Sequence, residues 1–353
     1  MSLLEETLHQ ITPRDKKAET EAKDRLDKLT MPHWALGRLM DLAVDLAGMT
    51  GTKKPMMFKK SMVVMAADHG VANEGVSLYP QEVTMQMVLN FVNGGAGINA
   101  LAKLNGAKVH VVDMGVNGDL SQLMNTDSIE VVHIGNGTRN IADGPAMSQE
   151  QALESVEAGI RIAIDLGQET DIFGTGDMGI GNTTPSSAIV SVMTGQKPAE
   201  VTGRGTGIDD KQFQGKVETI KKALRVNKVD PSDAMDVLAK VGGFEIGGIA
   251  GLILGAASLH KPVVIDGFIS TAGALIAYGL CPLSAEYIVA AHKSVEKGHI
   301  AALTKLGKRP LLDLNLRLGE GTGAALAMNI VEAAVRVLTE VATFDEAGVS
   351  EAE

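Results

Sequence analysis

A chain of 353 residues, 45% apolar and 21% charged, has the make-up of a soluble globular protein and room for one large domain or two unequal ones. Its net charge of −11, with scattered basic residues and few aromatics, argues against a nucleic-acid partner, which needs a basic face. One cysteine, Cys281, excludes an internal disulfide and fits a reducing compartment.

Residues 1–6 lack a basic segment followed by an apolar one, so no signal peptide is expected. The longest apolar run, 246–257, is too short and glycine-rich for a bilayer, which takes about 20 residues. The expectation is a cytoplasmic protein with no membrane partner. Residues 13–29 read as a charged helix with Thr12 as N-cap and Pro13 at its first position. A second helix is predicted from Pro32 to about Gly48, with Leu36, Leu39, Met40, Ala43, Val44, Leu46 and Ala47 on its apolar face. Both precede any strand, and the last helix, Gly323 to about Ala342, is their natural packing partner. The predicted organisation is therefore a small helical domain from both termini, 1–50 and 323–353, beside a large α/β domain, 51–322.

Candidate strands fall at 62–66, 108–112, 130–134, 171–174, 262–265 and 311–316. Helical patterns separate most of them, at 82–103, 149–166, 182–194, 211–225, 245–259, 269–278 and 284–306. Such alternation predicts βαβ units and a mainly parallel six-stranded sheet with helices on both faces.

The strand ends are the informative part. The first strand runs into Asp68-His69-Gly70 and the second into Asp113-Met114-Gly115. The fourth leads to Thr175-Gly176-Asp177-Met178-Gly179-Ile180-Gly181-Asn182, the fifth to Asp266-Gly267-Phe268. The sixth leads to Arg317-Leu318-Gly319-Glu320-Gly321-Thr322-Gly323. Ligands of open α/β sheets bind beyond the carboxyl ends of the strands, so glycine plus an ionisable group at five of six ends predicts one composite site. Glu320, among glycines and apolar residues, reads either as a carboxylate made basic by burial or as an ordinary acid at a helix start.

The loop 174–187 opens a helix, with Asn182 as a candidate N-cap, and reads as a phosphate loop or as a plain tight turn. It loosely fits a dinucleotide fingerprint, but that motif belongs after the first strand. A second glycine loop, 202–210, contains Gly203 and Gly205 and precedes a helix bearing Lys211 and Lys216. It lacks the Gly-Lys-Ser/Thr ending of a Walker loop; two glycine loops and a lysine suit a phosphate monoester, against a solvent-exposed linker. His292 and His299 share a helix face in this reading but have no third ligand at zinc spacing. His69, His110 and His133 are as readily structural as catalytic. Asp266 stands alone after its strand, where a diphosphorylated ribose with Mg²⁺ would need an acidic pair. No metal and no cofactor are expected.

Taken in order, these stretches resemble the nicotinate-nucleotide–dimethylbenzimidazole phosphoribosyltransferase family over roughly residues 25–340. The matching segments are 66–76, 79–84, 111–115, 174–185, 203–208, 266–268, 292–298 and 317–325. The resemblance implies transfer of phosphoribose from nicotinate mononucleotide to a benzimidazole-type base, with release of nicotinate. It also implies a homodimer with a Rossmann-like large domain and a small helical one. On this resemblance Glu320 is the base that takes the benzimidazole N–H proton. Asp177, where relatives often carry glutamate, either stabilises positive charge on the ribose or holds its hydroxyls. Gly176, Gly179, Asn182, Gly203, Gly205 and Lys216 fall on the phosphate and ribose, and Ser77, Tyr79, Gln86 and Leu318 on the aromatic base. One stretch departs: the family's Lys-Pro-x-Gly-Ser-Leu-Gly reads Met31-Pro32-His33-Trp34-Ala35-Leu36-Gly37 here. The rival expectations are an NAD-dependent dehydrogenase and a non-catalytic nucleotide-binding sensor.

Overall fold

The computed structural model of the chain describes residues 1–120, 123 and 129–350. The first helices are α1 (Leu3–Gln10), α2 (Lys16–Leu26) and α3 (Arg38–Thr50). Then come β1 (Lys60–Ala67), α4 (Val83–Val92), α5 (Gly97–Asn105), β2 (Lys108–Gly115), β3 (Glu130–Val131), α6 (Gln149–Gly167) and β4 (Ile172–Met178). They are followed by α7 (Thr183–Thr194), α8 (Pro198–Val201), α9 (Asp210–Asn227), α10 (Ala234–Val241), α11 (Phe244–Ser258), β5 (Val263–Ile265) and α12 (Phe268–Leu280). The chain closes with β6 (Ile288–Ala290), α13 (Gly298–Lys305), α14 (Thr322–Glu340) and α15 (Phe344–Ala347).

The six strands pair in parallel in the order β3-β2-β1-β4-β5-β6. This is the Rossmann-like, doubly wound order, and its two halves diverge between β1 and β4. β1 is buried along its whole length, as a central strand covered by helices on both faces must be. The helices start where side chains can satisfy open amides. Ser148 and Gln151 form a capping box at α6, and Asp209 with Gln212 does the same at α9.

Four expectations change. The second helix starts at Arg38 rather than Pro32, after turns in which Trp34 and Gly37 take positive φ. The charged helix starts at Lys16, because Asp15 accepts the amides of Lys17 and Ala18; Thr12 and Pro13 lie in the preceding loop. The pattern at 82–103 is broken around Gly94 and Gly95 into α4 and α5, so that α5 presents its own N-terminus. The sixth strand is β6, inside the stretch expected to be helix 284–306. Short apolar runs such as 287–291 read equally well as helix or strand. Residues 311–316 only run beside it: Leu311 and Leu312 donate their amides to the carbonyls of Ala290 and Ala291, and a single bridge joins His292 to Leu312.

At the termini, α2, α3 and α14 pack on one another, and Leu29 bridges Thr343. Arg25 ties the group, donating to the Leu338 carbonyl at 2.8 Å and pairing with Glu346 at 2.9 Å. α1 packs instead on α6 and α11, and α14 also packs on α5, β4 and β5. Among the described residues α14 is the one helix long and apolar enough to cross a membrane, and its apolar face (Ala324, Ala327, Met328, Val331, Val335, Leu338) is buried in protein. Its N-terminus stands at the carboxyl ends of β4 and β5, where it positions Glu320.

Candidate active site

A cavity of about 450 Å³ opens beyond β4 and β5. Its walls are the end of β4 with the start of α7, the loop around Gly205, the segment 292–296, the turn 317–320, and Tyr79, Val83 and Met87 beside and on α4.

Glu320 lies in a run of left-handed backbone: φ is +87° at Gly319, +62° at Glu320 and +91° at Gly321. Glycine takes that conformation freely, whereas a side chain there costs roughly 1–2 kcal/mol, so the surroundings must hold it. They do so from three sides. A Cβ at Gly176 would overlap the Glu320 carbonyl oxygen, so β4 presses on the turn from below. Asp266 accepts the amides of Gly321, Gly323 and Ala324 at 3.2, 2.7 and 3.0 Å. The Glu320 carboxylate itself accepts the Ile98 amide at 3.2 Å, at the first turn of α5. Burial pushes its pKa up and the α5 amides pull it back; the negative charge of Asp266 pushes further, leaving it raised above the ordinary carboxylate value.

Asp177 ends β4 and is buried. One of its oxygens accepts from Asn182 Nδ2 at 3.2 Å, and the other has no hydrogen-bond partner among the described residues. Burial, then the neighbouring Asp266 and Glu245, raise its pKa well above the usual value, with Glu320 adding to them and Asn182 opposing. Burial thus favours its protonated form, and its second oxygen is unpartnered among the described residues at the cavity wall.

At the opposite end, Lys216 donates to Thr183 Oγ1 at 2.6 Å, where Thr183 opens α7 beside Gly205. Burial lowers the Lys216 pKa to about 8, against the pull of Glu296. The Gly205 amide donates to Glu296 Oε1 at 2.9 Å, and Glu296 Oε2 is buried without a partner among the described residues.

Of the expected site residues, Glu320, Asp177, Gly179, Asn182, Gly205, Tyr79 and Leu318 line the cavity. Others do not. Gly176 lies under the Glu320 turn, and Gly203 packs against Glu296, where any Cβ would overlap its carboxylate. Lys216 acts from behind Thr183. Ser77 uses its hydroxyl to accept the Tyr79 amide at 3.2 Å, shaping the turn, and Gln86 points out from α4, whose Val83 and Met87 face inward.

The five ionisable strand ends do not form one site either. At β1, His69 forms a buried pair with Glu245 at 2.7 Å, and Asp68 accepts the Asn117 amide at 2.8 Å. At β2, Asp113 accepts the amides of Gly115 and Val116 and pairs with His133 at 3.0 Å. These groups organise loops, and the cavity is built by β4, β5 and the final turn. The 31–37 turn is likewise absent from its walls.

His292, Ser294 and Glu296 line the cavity, a role the zinc reading of that stretch missed. His299 is occupied structurally: its Nδ1 accepts the Ser294 amide at 2.9 Å, so Nε2–H faces Thr271 Oγ1 at 2.9 Å. Burial, aided by His292, lowers its pKa to about 3 and keeps it neutral.

A family model described as "Phosphoribosyltransferase" matches residues 11–349. The nicotinate-nucleotide–dimethylbenzimidazole phosphoribosyltransferase of Syntrophotalea carbinolica is 61% identical, over 99% of each chain. That of Desulfotalea psychrophila is 57% identical, again over 99% of each. Among solved structures, the phosphoribosyltransferase of the same name from Thermus thermophilus superposes with a TM-score of 0.90 at 43% identity, covering 96% of this chain and 100% of that one. A second structure from the same organism, named CobT, gives 0.91 at 44% identity, covering 95% and 100%.

Proposed function

We infer the chemistry from one premise: the chain belongs to the nicotinate-nucleotide–dimethylbenzimidazole phosphoribosyltransferase family. It is a pentosyltransferase that moves phosphoribose from nicotinate mononucleotide to 5,6-dimethylbenzimidazole. The products are α-ribazole 5′-phosphate and nicotinate, in lower-ligand assembly of cobalamin biosynthesis.

Glu320 is the general base of this reading. Its support is a buried carboxylate with a raised pKa, held in left-handed backbone at the cavity wall. The benzimidazole ring lies among Tyr79, Val83, Met87 and Leu318. Its unprotonated nitrogen attacks C1′ of the ribose from the face opposite nicotinate. The C1′–N bond to nicotinate breaks, and its electron pair neutralises the departing pyridinium nitrogen. Bond formation makes the other ring N–H acidic, and Glu320 takes that proton. Asp177, its pKa raised by burial and one oxygen unpartnered among the described residues, holds a ribose hydroxyl rather than supplying negative charge. The phosphate sits between the start of α7 and Gly205, with Lys216 charging that corner through Thr183.

The dehydrogenase alternative is disfavoured because the glycine loop follows β4, not the first strand. A silent sensor has no need of a strained, buried carboxylate at the cavity wall. The protein works as a homodimer in the cytoplasm without nucleic acid or membrane; of its terminal segments 1–50 and 323–353, α2, α3 and α14 form the small domain, while α1 packs on the large one.

The test is incubation with nicotinate mononucleotide and 5,6-dimethylbenzimidazole in EDTA. Equimolar nicotinate and α-ribazole 5′-phosphate are expected. Product only on adding Mg²⁺ overturns the metal-free mechanism; hydride chemistry on NAD(H) with no product overturns the reading itself.

A further inference from the structure

Asp266 follows β5 and is 1% exposed, inside the protein behind the Glu320 turn. Helix α14 has no side-chain cap of its own: its N-cap is Gly321, and no local side chain accepts its first amides. Those open donors must be satisfied, and the helix N-terminus favours a negative charge. Asp266, 55 positions earlier in the chain, supplies the cap. One oxygen accepts the Gly323 and Ala324 amides at 2.7 and 3.0 Å. The other accepts the Gly321 amide at 3.2 Å, the peptide that immediately follows Glu320. His292 Nε2 stands 3.6 Å from the same Asp266 oxygen that accepts the Gly323 and Ala324 amides. A Cβ at Gly323 would overlap the His292 ring and come within 2.8 Å of Asp266, so the junction closes only around glycine.

We propose that Asp266 is the positioning residue for the transfer reaction: it caps α14 across the sheet and so fixes the left-handed turn that carries Glu320. The proposal rests on Glu320 being the base. A strained residue keeps its conformation only when its neighbours over-determine it. Without the Asp266 anchor the Glu320–Gly321 peptide is free to relax, and the carboxylate loses its fixed place at the cavity wall. Asp266 also stands as a negative neighbour of the base. The groups facing Glu320 are Asp177 from β4, Asp266 after β5 with His292 3.6 Å from it, and the Gly97 and Ile98 amides of α5.

The test is Asp266→Asn, which keeps the size but turns one acceptor into a donor facing amides. Turnover should fall about 10–10²-fold, while KM for nicotinate mononucleotide moves less than about threefold, because the phosphate corner is untouched. The acid limb of the kcat profile should shift to lower pH, since a negative neighbour is lost. A purely structural role would lower stability without moving that limb. Turnover near wild type, or a loss with the limb unmoved, overturns the proposal. If the variant does not fold, amide hydrogen exchange on the wild-type enzyme decides: Gly321, Gly323 and Ala324 should be protected, and fast exchange at all three overturns the anchor. Glu320→Gln in the same assay separates the two claims. Wild-type turnover in that variant defeats the base assignment, whereas its inactivity beside a fully active Asp266→Asn defeats only the positioning role.

Discussion

Lys216 is a cation held almost out of water, and its charge is conditional. Its pKa of about 8 lies below the usual lysine value, so the ammonium persists below that pH and is lost as pH rises through it. Because kcat/KM reports the free enzyme, KM for nicotinate mononucleotide should climb roughly 5–10-fold between about pH 7 and 9.5 as this charge disappears. A flat KM over that range would remove Lys216 from phosphate binding. Asp177 makes the opposite case. Burial favours its protonated form in the folded state, while the unfolded chain ionises it above about pH 3.9. The folded state therefore carries a penalty that grows as pH rises from there toward the raised folded value. Asp177→Asn should raise the melting temperature at neutral pH, with the gain vanishing toward pH 4. It should also keep turnover within about tenfold, whereas a carboxylate stabilising a cationic ribose would cost about 10²–10³. Glu320 and Asp177 were legible as candidates because each is an acid beside glycine at a strand end; their proposed roles came from the family resemblance, and both line the cavity. Asp266 was visible as a residue but not as a cap, since nothing in the sequence shows one carboxylate meeting amides 55 positions on. Glu296 was hidden because its partner is the backbone of Gly205, in a different loop.

The elements were legible wherever period and punctuation agreed. α6, α7, α9, α11 and α12 fall within two residues of their predicted bounds, since each has an apolar face or run with clear ends. The pattern failed at β6, three residues long in an apolar run, where length and period cannot separate strand from helix. α10 was missed because its eight residues are too few for the period to stand out. Helix packing makes its own prediction. α6 and α11 meet backbone to backbone: a Cβ at Gly159 would overlap the Gly248 carbonyl oxygen and lie 2.7 Å from the Leu252 amide. Neither can retreat, so Gly159→Ala should lose about 1–3 kcal/mol or more in urea unfolding while the folded enzyme keeps its kcat. Gly215, inside α9 with nothing within 4 Å of a Cβ, is the contrast. Gly215→Ala should gain about 0.5–1 kcal/mol. If both variants behave alike, close packing is not what fixes the α6–α11 crossing.

Across the whole molecule, parallel strands and right-handed crossovers bring residues far apart in the chain to one edge of the sheet. β4 delivers Asp177, β5 delivers Asp266, and the chain returns after α13 to lay Glu320 between them and the start of α5. The overall α/β order was readable from alternation alone. Which strand ends share the cavity was not, because β1 and β2 end in similar motifs and use them for buried pairs. The site is thus half a sheet edge plus one strained turn, and the turn carries Glu320. The most direct measurement is turnover of Glu320→Gln with saturating nicotinate mononucleotide and 5,6-dimethylbenzimidazole. The expected fall is about 10²–10⁴-fold with nucleotide affinity nearly unchanged. Turnover within about threefold of the wild-type enzyme would show that another group takes the proton.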